Sequence, residues 1–105
     1  MEPHDYGFTT VGKWKLGNSK SGIDYSLNNL KNKRVIYAFS EGSTIKYLGV
    51  CGSYTLSKRM SGYKNPGPSQ TTNIRIAANI KKCLENNQTI EILALHPKSP
   101  LNIKD

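Results

Sequence analysis

Two apolar stretches separated by a short turn most constrain how this chain can fold. Residues 34–40 contain a continuous apolar run from Val35 to Phe39, and residues 44–50 carry four further apolar or aromatic side chains. Between them, Glu41-Gly42-Ser43 has the composition of a turn. Short runs rich in β-branched and aromatic residues on either side of a turn are typical of paired strands. The pattern therefore predicts an antiparallel hairpin over residues 34–50.

A first helix is predicted directly after this hairpin. It begins near Thr55, because threonine is a residue type that caps helix N-termini. Leu56, Met60 and Tyr63 then recur at a helical spacing, so they share one face. The segment 64–69 contains two prolines and a glycine and is expected to end the helix in a loop.

A second helix is predicted after Thr71-Thr72, whose hydroxyls are expected to cap it, and Asn86-Asn87 ends it. Its apolar stripe consists of Ile76, Ile80, Cys83 and Leu84. Another face carries Arg75, Asn79 and Lys82, which could follow a nucleic-acid backbone or form an ordinary solvated face. A third strand is predicted from Thr89 to Leu95, before Pro97.

The first 33 residues are polar, but two short segments within them alternate apolar and polar side chains. These are residues 11–16 and 22–27, with the turn signal Gly17-Asn18 between them, so a hairpin is expected. A length of 105 residues suits one domain. The predicted class is α+β, with a small antiparallel three-stranded sheet flanked by helices and an extra N-terminal hairpin. Residues 1–33 are interpreted as an N-terminal extension and residues 34–105 as the main domain.

Charge is the strongest signal in the composition. Fifteen Lys and Arg residues outnumber seven Asp and Glu residues, which gives a net charge of +8. Such a field attracts polyanions, and DNA is the partner that we expect. No apolar run approaches the roughly 20 residues that a membrane helix needs, so no membrane partner is expected. Cys51 and Cys83 are expected to be reduced thiols in a cytoplasmic protein.

Two tripeptides and one helix resemble a known nuclease superfamily. Val35-Ile36-Tyr37 and Tyr47-Leu48-Gly49, with tyrosines ten residues apart, resemble the paired motif that names the GIY-YIG nucleases. The segment from Leu56 to Tyr63 is similar to a helix of the excision-repair incision nucleases of that superfamily. Residues 65–70 resemble a loop of its bacterial single-domain members. The resemblance covers residues 34 to 95 and implies a small antiparallel sheet flanked by helices.

This resemblance implies a DNA endonuclease that hydrolyses phosphodiester bonds with one divalent metal, Mg²⁺ or Mn²⁺. Tyr37 and Tyr47 would present phenol hydroxyls at the catalytic site, and Gly49 would allow close backbone packing. Arg59 would hold the scissile phosphate, and Tyr63 would help to activate the attacking water.

These residue types suit that chemistry. The arginine guanidinium offers a fork of donors that matches phosphate oxygens. Tyrosine, with a pKa of about 10, is a poor base at neutral pH. Arg59, one helical turn from Tyr63, is expected to favour its phenolate form. Further contacts with nucleic acid are predicted at Gly49, Lys58, Lys64, Arg75, Asn79 and Lys82.

The chain departs from the family pattern in two ways. Val50 follows the second tripeptide where lysine is frequent, and Arg59 comes two residues later than usual. A longer loop between Cys51 and Tyr54 is expected to absorb this difference. The superfamily's metal-binding glutamate lies on a helix beyond the third strand, and no such helix is evident before Asp105.

The identity of the metal ligand is therefore left unknown, and this chain is expected to bind nucleic acid but to cleave poorly. The only acids after Glu41 are Glu85, Glu91 and Asp105, and none has the expected position. A non-catalytic nucleic-acid-binding module on the same scaffold is the alternative function. A protein-interaction domain whose charge serves only solubility is more remote.

Overall fold

A single antiparallel sheet with two helices forms the part of the protein that the computed structural model describes, residues 3–28 and 34–96. A 3-10 helix at Pro3–Tyr6 precedes two strands, β1 (Thr9–Leu16) and β2 (Ile23–Leu27). The remaining elements are β3 (Ile36–Glu41), β4 (Thr44–Val50), α1 (Leu56–Lys64), α2 (Thr71–Glu85) and β5 (Glu91–Leu95). The predicted α+β class is confirmed. No helix in these two ranges is long and apolar enough to cross a bilayer.

The sheet has five strands in the order β2-β1-β5-β3-β4, so the three predicted strands are too few. The N-terminal hairpin that the sequence predicts is present, and β1 extends the sheet by pairing with β5. Trp14 of β1 is buried in the main core. The pairing of β1 with β5 joins segments that lie far apart in the sequence. The alternation of residues 11–16 therefore predicts that a strand forms there, but not which strand it pairs with. Residues 29–33, at the predicted domain boundary, lie outside the described residues.

The β3–β4 hairpin is present as predicted and has its apolar run at the centre of the sheet. β3 lies between β4 and β5, which explains why its residues are buried in succession. Tyr37 and Phe39 belong to the main core beneath the helices. Ala38 points to the other face, where it forms a smaller core with Phe8 and Leu93. A central strand with both faces covered needs a continuous apolar run rather than strict alternation.

The two helices cover one face of the sheet and follow the predicted apolar faces. In α1, the Thr55 hydroxyl accepts a hydrogen bond from the Lys58 amide at 3.1 Å, so the predicted cap is confirmed. The capping prediction for α2 is wrong: Thr71 is already its first helical residue and Gln70 precedes it without a side-chain cap. The Gln70 side chain instead accepts a hydrogen bond from the Gly67 amide at 2.8 Å. Asn86 ends α2, as predicted.

Candidate active site and nucleic-acid interface

Three tyrosines from three elements meet beneath α1. Tyr37 comes from β3, Tyr47 from β4 and Tyr63 from the last turn of α1. Their ring centroids are 6.2 Å apart for Tyr37 and Tyr47, 6.1 Å for Tyr47 and Tyr63, and 6.5 Å for Tyr37 and Tyr63. The hydroxyls of Tyr37 and Tyr63 are hydrogen-bonded at 2.7 Å. We call these three residues the tyrosine cluster.

The tyrosine cluster is part of the hydrophobic core. Tyr37 and Tyr63 are each only 2% exposed, whereas Tyr47 is half-buried. Phe39 packs edge-on against Tyr63, with centroids 5.4 Å apart, and Trp14 does the same at 6.3 Å. Edge-to-face packing at these distances stabilises aromatic pairs by more than the burial of their surface area alone would. Of the three hydroxyl-bearing rings, that of Tyr47 is therefore the one in substantial contact with solvent.

Burial sets the protonation state of this cluster. It raises the pKa of Tyr37 to about 12, and the hydrogen bond with Tyr63 and the charge of Arg59 oppose this rise only in part. Burial also raises the pKa of Tyr63 well above its usual range, and hydrogen bonding with Tyr37 and Tyr47 raises it further. The expectation that Arg59 favours the Tyr63 phenolate is therefore wrong, because desolvation disfavours the charged form more strongly. Tyr37 and Tyr63 are neutral phenols at pH 7.

Gly49 makes room for the Tyr37 ring. The two residues are register partners in the β3–β4 hairpin. A Cβ atom at position 49 would lie 2.5 Å from both Cζ and Oη of Tyr37. No real Cβ fits there unless the buried ring moves. The glycine of the second tripeptide therefore lets the backbone of β4 pack directly on the phenol.

Arg59 is close enough to Tyr37 for its charge to act on that phenol, and it joins α1 to the end of β4. Its Nη2 donates a hydrogen bond to the Val50 carbonyl at 3.2 Å. Burial raises the pKa of the adjacent Cys51 thiol, and contact with Arg59 opposes that rise. Among the described residues, the buried Nε of Arg59 has no hydrogen-bond partner. The ion pairs Lys46–Glu41 and Lys64–Asp24 do not include this guanidinium. Arg59 thus brings a positive charge to the cluster.

The other residues predicted to contact nucleic acid are scattered. Lys58 is exposed, and its ammonium lies 4.9 Å from the centroid of the Tyr54 ring. Lys64 reaches the N-terminal hairpin, where its Nζ is 3.0 Å from Asp24. A hydrogen bond from Lys64 is the main reason why the pKa of Asp24 is lowered. The charge of Lys64 is thus largely committed to an internal ion pair.

Arg75, Asn79 and Lys82 are exposed on α2, and we call them the basic face of α2. Asn79 and Lys82 also border a groove of about 300 Å³ that extends to Tyr47. Lys46 of β4 lines the same groove. No sequence pattern distinguishes Lys46 from the other lysines, because its proximity to α2 arises only when the sheet and helix pack together.

The described residues contain no cluster of metal-binding side chains. No group of three or more His, Cys, Asp or Glu side chains in residues 3–28 and 34–96 could hold a metal ion. Glu91 alternates along β5 with Ile92, which is in the main core, so its side chain faces away from the tyrosine cluster. Glu85 is exposed at the end of α2. Glu91 is therefore not placed to complete a site at the tyrosine cluster.

Two solved structures share this architecture. A mutant of bacteriophage T4 EndoII superposes with a TM-score of 0.68 at 22% identity, over 87% of this chain and 67% of that one. Restriction endonuclease HPY188I in complex with product DNA superposes with a TM-score of 0.65 at 18% identity, over 95% of this chain and 64% of that one. The chain thus spans about two thirds of the length of either protein.

Sequence comparison alone does not find this relationship. No protein-family model matches the sequence, and no curated protein is significantly similar to it. At 22% and 18% identity, the likeness to the two nucleases is a likeness of fold. That likeness agrees with the paired tripeptides, which lie on adjacent strands and are brought into register by the β3–β4 hairpin. The chain therefore shares its fold with these two nucleases.

Proposed function

We propose that this chain is a DNA endonuclease domain that hydrolyses phosphodiester bonds at Arg59 and the tyrosine cluster. The observation that carries the proposal is the position of the Arg59 guanidinium, which is hydrogen-bonded to the Val50 carbonyl and close enough for its charge to act on Tyr37. The fold shared with a phage endonuclease and a restriction endonuclease supports it. So does the net charge of +8, which favours encounter with DNA.

Arg59 acts on the phosphate in this proposal. A guanidinium has five N–H donors, and the Val50 carbonyl accepts from Nη2. The remaining N–H groups of Nη1 and Nη2 can hold phosphate oxygens and stabilise the negative charge that develops as the nucleophile attacks. Because the hydrogen bond to Val50 fixes the guanidinium before substrate binds, little reorganisation is needed at the moment of reaction.

The tyrosines assist the nucleophile by orienting it rather than by taking its proton as phenolates. Burial keeps Tyr37 and Tyr63 neutral at pH 7. Neutral phenols both donate and accept hydrogen bonds. Tyr47, the half-buried member of the cluster, is the one that an attacking water would meet. Tyr37 and Tyr63 then fix the position of that hydroxyl from within the core.

Dependence on one divalent ion, Mg²⁺ or Mn²⁺, is part of the proposal. Among the described residues, no cluster of three or more His, Cys, Asp or Glu side chains could hold such an ion, so we assign no step of the reaction to it. A cytoplasmic location is also proposed, since Cys51 and Cys83 are both free thiols.

A plasmid-nicking assay tests the role of Arg59. Supercoiled DNA is incubated with the chain in Mg²⁺, in Mn²⁺ or in EDTA, and nicked product is measured over time. Arg59→Ala should lower the nicking rate by at least about 100-fold, because it removes a charge-stabilising group. DNA binding should weaken less, and the slope of the logarithm of the binding constant against the logarithm of the salt concentration should become shallower by about one unit.

Lys81→Ala is the matched control, since it also removes one positive charge from an exposed helical position outside the site. It should cut like the parent. If Arg59→Ala also cuts like the parent, Arg59 has no part in the mechanism.

A non-catalytic DNA-binding module is the second candidate, and the lack of a metal-holding group among the described residues favours it. Salt-sensitive DNA binding by the parent without nicking in either metal would support this candidate. Glu85→Gln and Glu91→Gln belong in the same assay. Since Glu91 faces away from the cluster, its substitution should not change cutting. Loss of cutting only in Glu91→Gln would identify it as a relocated metal ligand.

A further inference from the structure

The groove between α2 and the β3–β4 hairpin has an apolar floor. Phe39, Ile80 and Ile90 form this floor, and Tyr47 lies at its edge. Its volume of about 300 Å³ is at the lower end of the range of roughly 300–1,000 Å³ typical of small-molecule sites. The size suits one flat ring system rather than an extended chain.

The rim of the groove is polar and positively charged. Lys46 and Lys82 both line it, and both are exposed. Lys46 is only loosely paired with Glu41, at 3.9 Å. Asn79, which is also exposed, lines the same groove. An apolar slot with a few polar groups at its mouth has the composition of a ligand site.

We propose that this groove receives one unstacked nucleobase of the DNA, close to the phosphate that Arg59 holds. This inference rests on the proposed endonuclease function. The faces of a base are apolar enough to lie on an isoleucine and phenylalanine floor, while the phosphates on either side of it suit Lys46 and Lys82. An asparagine amide can form two hydrogen bonds with the edge of adenine, so Asn79 favours that base.

The proposal defines a substrate class, which is DNA with a base that is already unpaired. Extruding a base costs a few kcal/mol in an intact duplex and least where the base has no partner. Tyr47 belongs to both the tyrosine cluster and the groove wall. A base in the groove would therefore fix the register of the backbone at the proposed site of cleavage.

Cys83 provides a direct reporter of occupancy. Its half-buried thiol lines the groove. Cys51 is fully buried, and burial raises the pKa of its thiol. N-ethylmaleimide should therefore modify Cys83 first in the native protein, because the thiolate is the reactive form and access is required. A base in the groove should slow that modification.

The test compares three short duplexes, in EDTA to prevent cleavage. One is fully paired, one has a single bulged adenosine, and one has a bulged abasic residue at the same place. Binding is followed by fluorescence anisotropy. The adenosine bulge should bind at least about fivefold more tightly than the abasic bulge, as expected for one bidentate contact with a base. It should also slow the modification of Cys83, whereas the abasic bulge should not.

Asn79→Ala should remove the preference for the adenosine bulge. Arg75→Ala is the control, because Arg75 is exposed on the same helix but does not line the groove. It should weaken binding to all three duplexes equally. Equal binding of the two bulged duplexes, with equal reactivity of Cys83, would overturn the base-binding groove and leave the endonuclease proposal standing. Failure to bind any of the DNAs would overturn both.

Discussion

The tyrosine cluster and the basic face of α2 differ in how they combine stability with a proposed function. Tyr37 and Tyr63 are 2% exposed and pack on other aromatic rings of the core. The side chains of Arg75, Asn79 and Lys82 are exposed to solvent. The sequence assigned both regions to the handling of nucleic acid. Only the first is also part of what holds the sheet and α1 together.

This difference determines what a substitution can show. In the cluster, loss of activity and loss of folding are coupled, so a truncated tyrosine says little about catalysis on its own. On the basic face of α2, a side chain can be removed with little effect on the core, so a change in binding reports on binding. Arg59 is intermediate, because it is partly buried but anchored by its hydrogen bond to a backbone carbonyl.

Truncation of the cluster should have the largest effect on stability. Tyr63→Ala removes a buried ring that contacts Tyr37, Phe39 and Trp14. The free energy of unfolding should fall by about 3–5 kcal/mol, as for other aromatic-to-alanine changes in cores. Urea denaturation measures it. The matched control is Tyr54→Ala, since Tyr54 is 54% exposed. Similar losses in both variants would contradict the distinction between core and surface tyrosines.

Gly49→Ala tests the close approach of β4 to Tyr37. The new methyl group would lie 2.5 Å from Cζ and Oη of the Tyr37 ring, which is only 2% exposed. Overpacking of this kind should lower the free energy of unfolding by about 1–3 kcal/mol. Gly52→Ala is the control, because a Cβ atom there meets nothing within 4 Å. If the two variants have equal midpoints in thermal or urea unfolding, Gly49 is not needed for packing.

Alkaline pH should destabilise the cluster. The unfolded chain ionises Tyr37 near the ordinary tyrosine pKa of about 10, whereas in the folded protein its pKa is raised to about 12. Between these two pKa values the folded state binds more protons than the unfolded state. The stabilisation that the neutral Tyr37 phenol contributes is therefore complete below pH 10 and is lost as the pH rises to 12. Urea midpoints should fall across this window.

Tyr37→Phe should make the fall of the urea midpoint at alkaline pH less steep. At neutral pH the same substitution should lower the free energy of unfolding by about 1 kcal/mol, because the hydrogen bond with Tyr63 is lost. An unchanged pH profile in Tyr37→Phe would show that the decline arises elsewhere.

The basic face of α2 should give the smallest change in stability. Arg75→Ala and Lys82→Ala should each alter the free energy of unfolding by less than about 0.5 kcal/mol. If each residue meets a phosphate, the salt dependence of DNA binding should fall by about one unit per variant. Anisotropy titrations at several salt concentrations measure this slope. A parent-like slope in both variants would make this helix face an ordinary solvated surface.

The sequence by itself determined the local elements and which residues share a face. The turn at residues 41–43 and the apolar runs on either side predict the β3–β4 hairpin, and Thr55 predicts the start of α1. These features depend on neighbours a few residues apart, so composition and spacing are sufficient. The same patterns place Tyr37, Tyr47 and Tyr63 on two adjacent strands and the next helix, so the tyrosine cluster was also predictable as a grouping.

The tertiary structure decided the rest. It pairs β1 with β5, directs Lys64 to Asp24, and opens the groove in which Lys46 meets α2. It also reverses the expected protonation of Tyr63. The sequence predicts that a neighbouring arginine favours a phenolate, but packing removes the ring from water and makes the neutral form more stable. Desolvation depends on every element that covers a group, and these elements lie far apart along the chain.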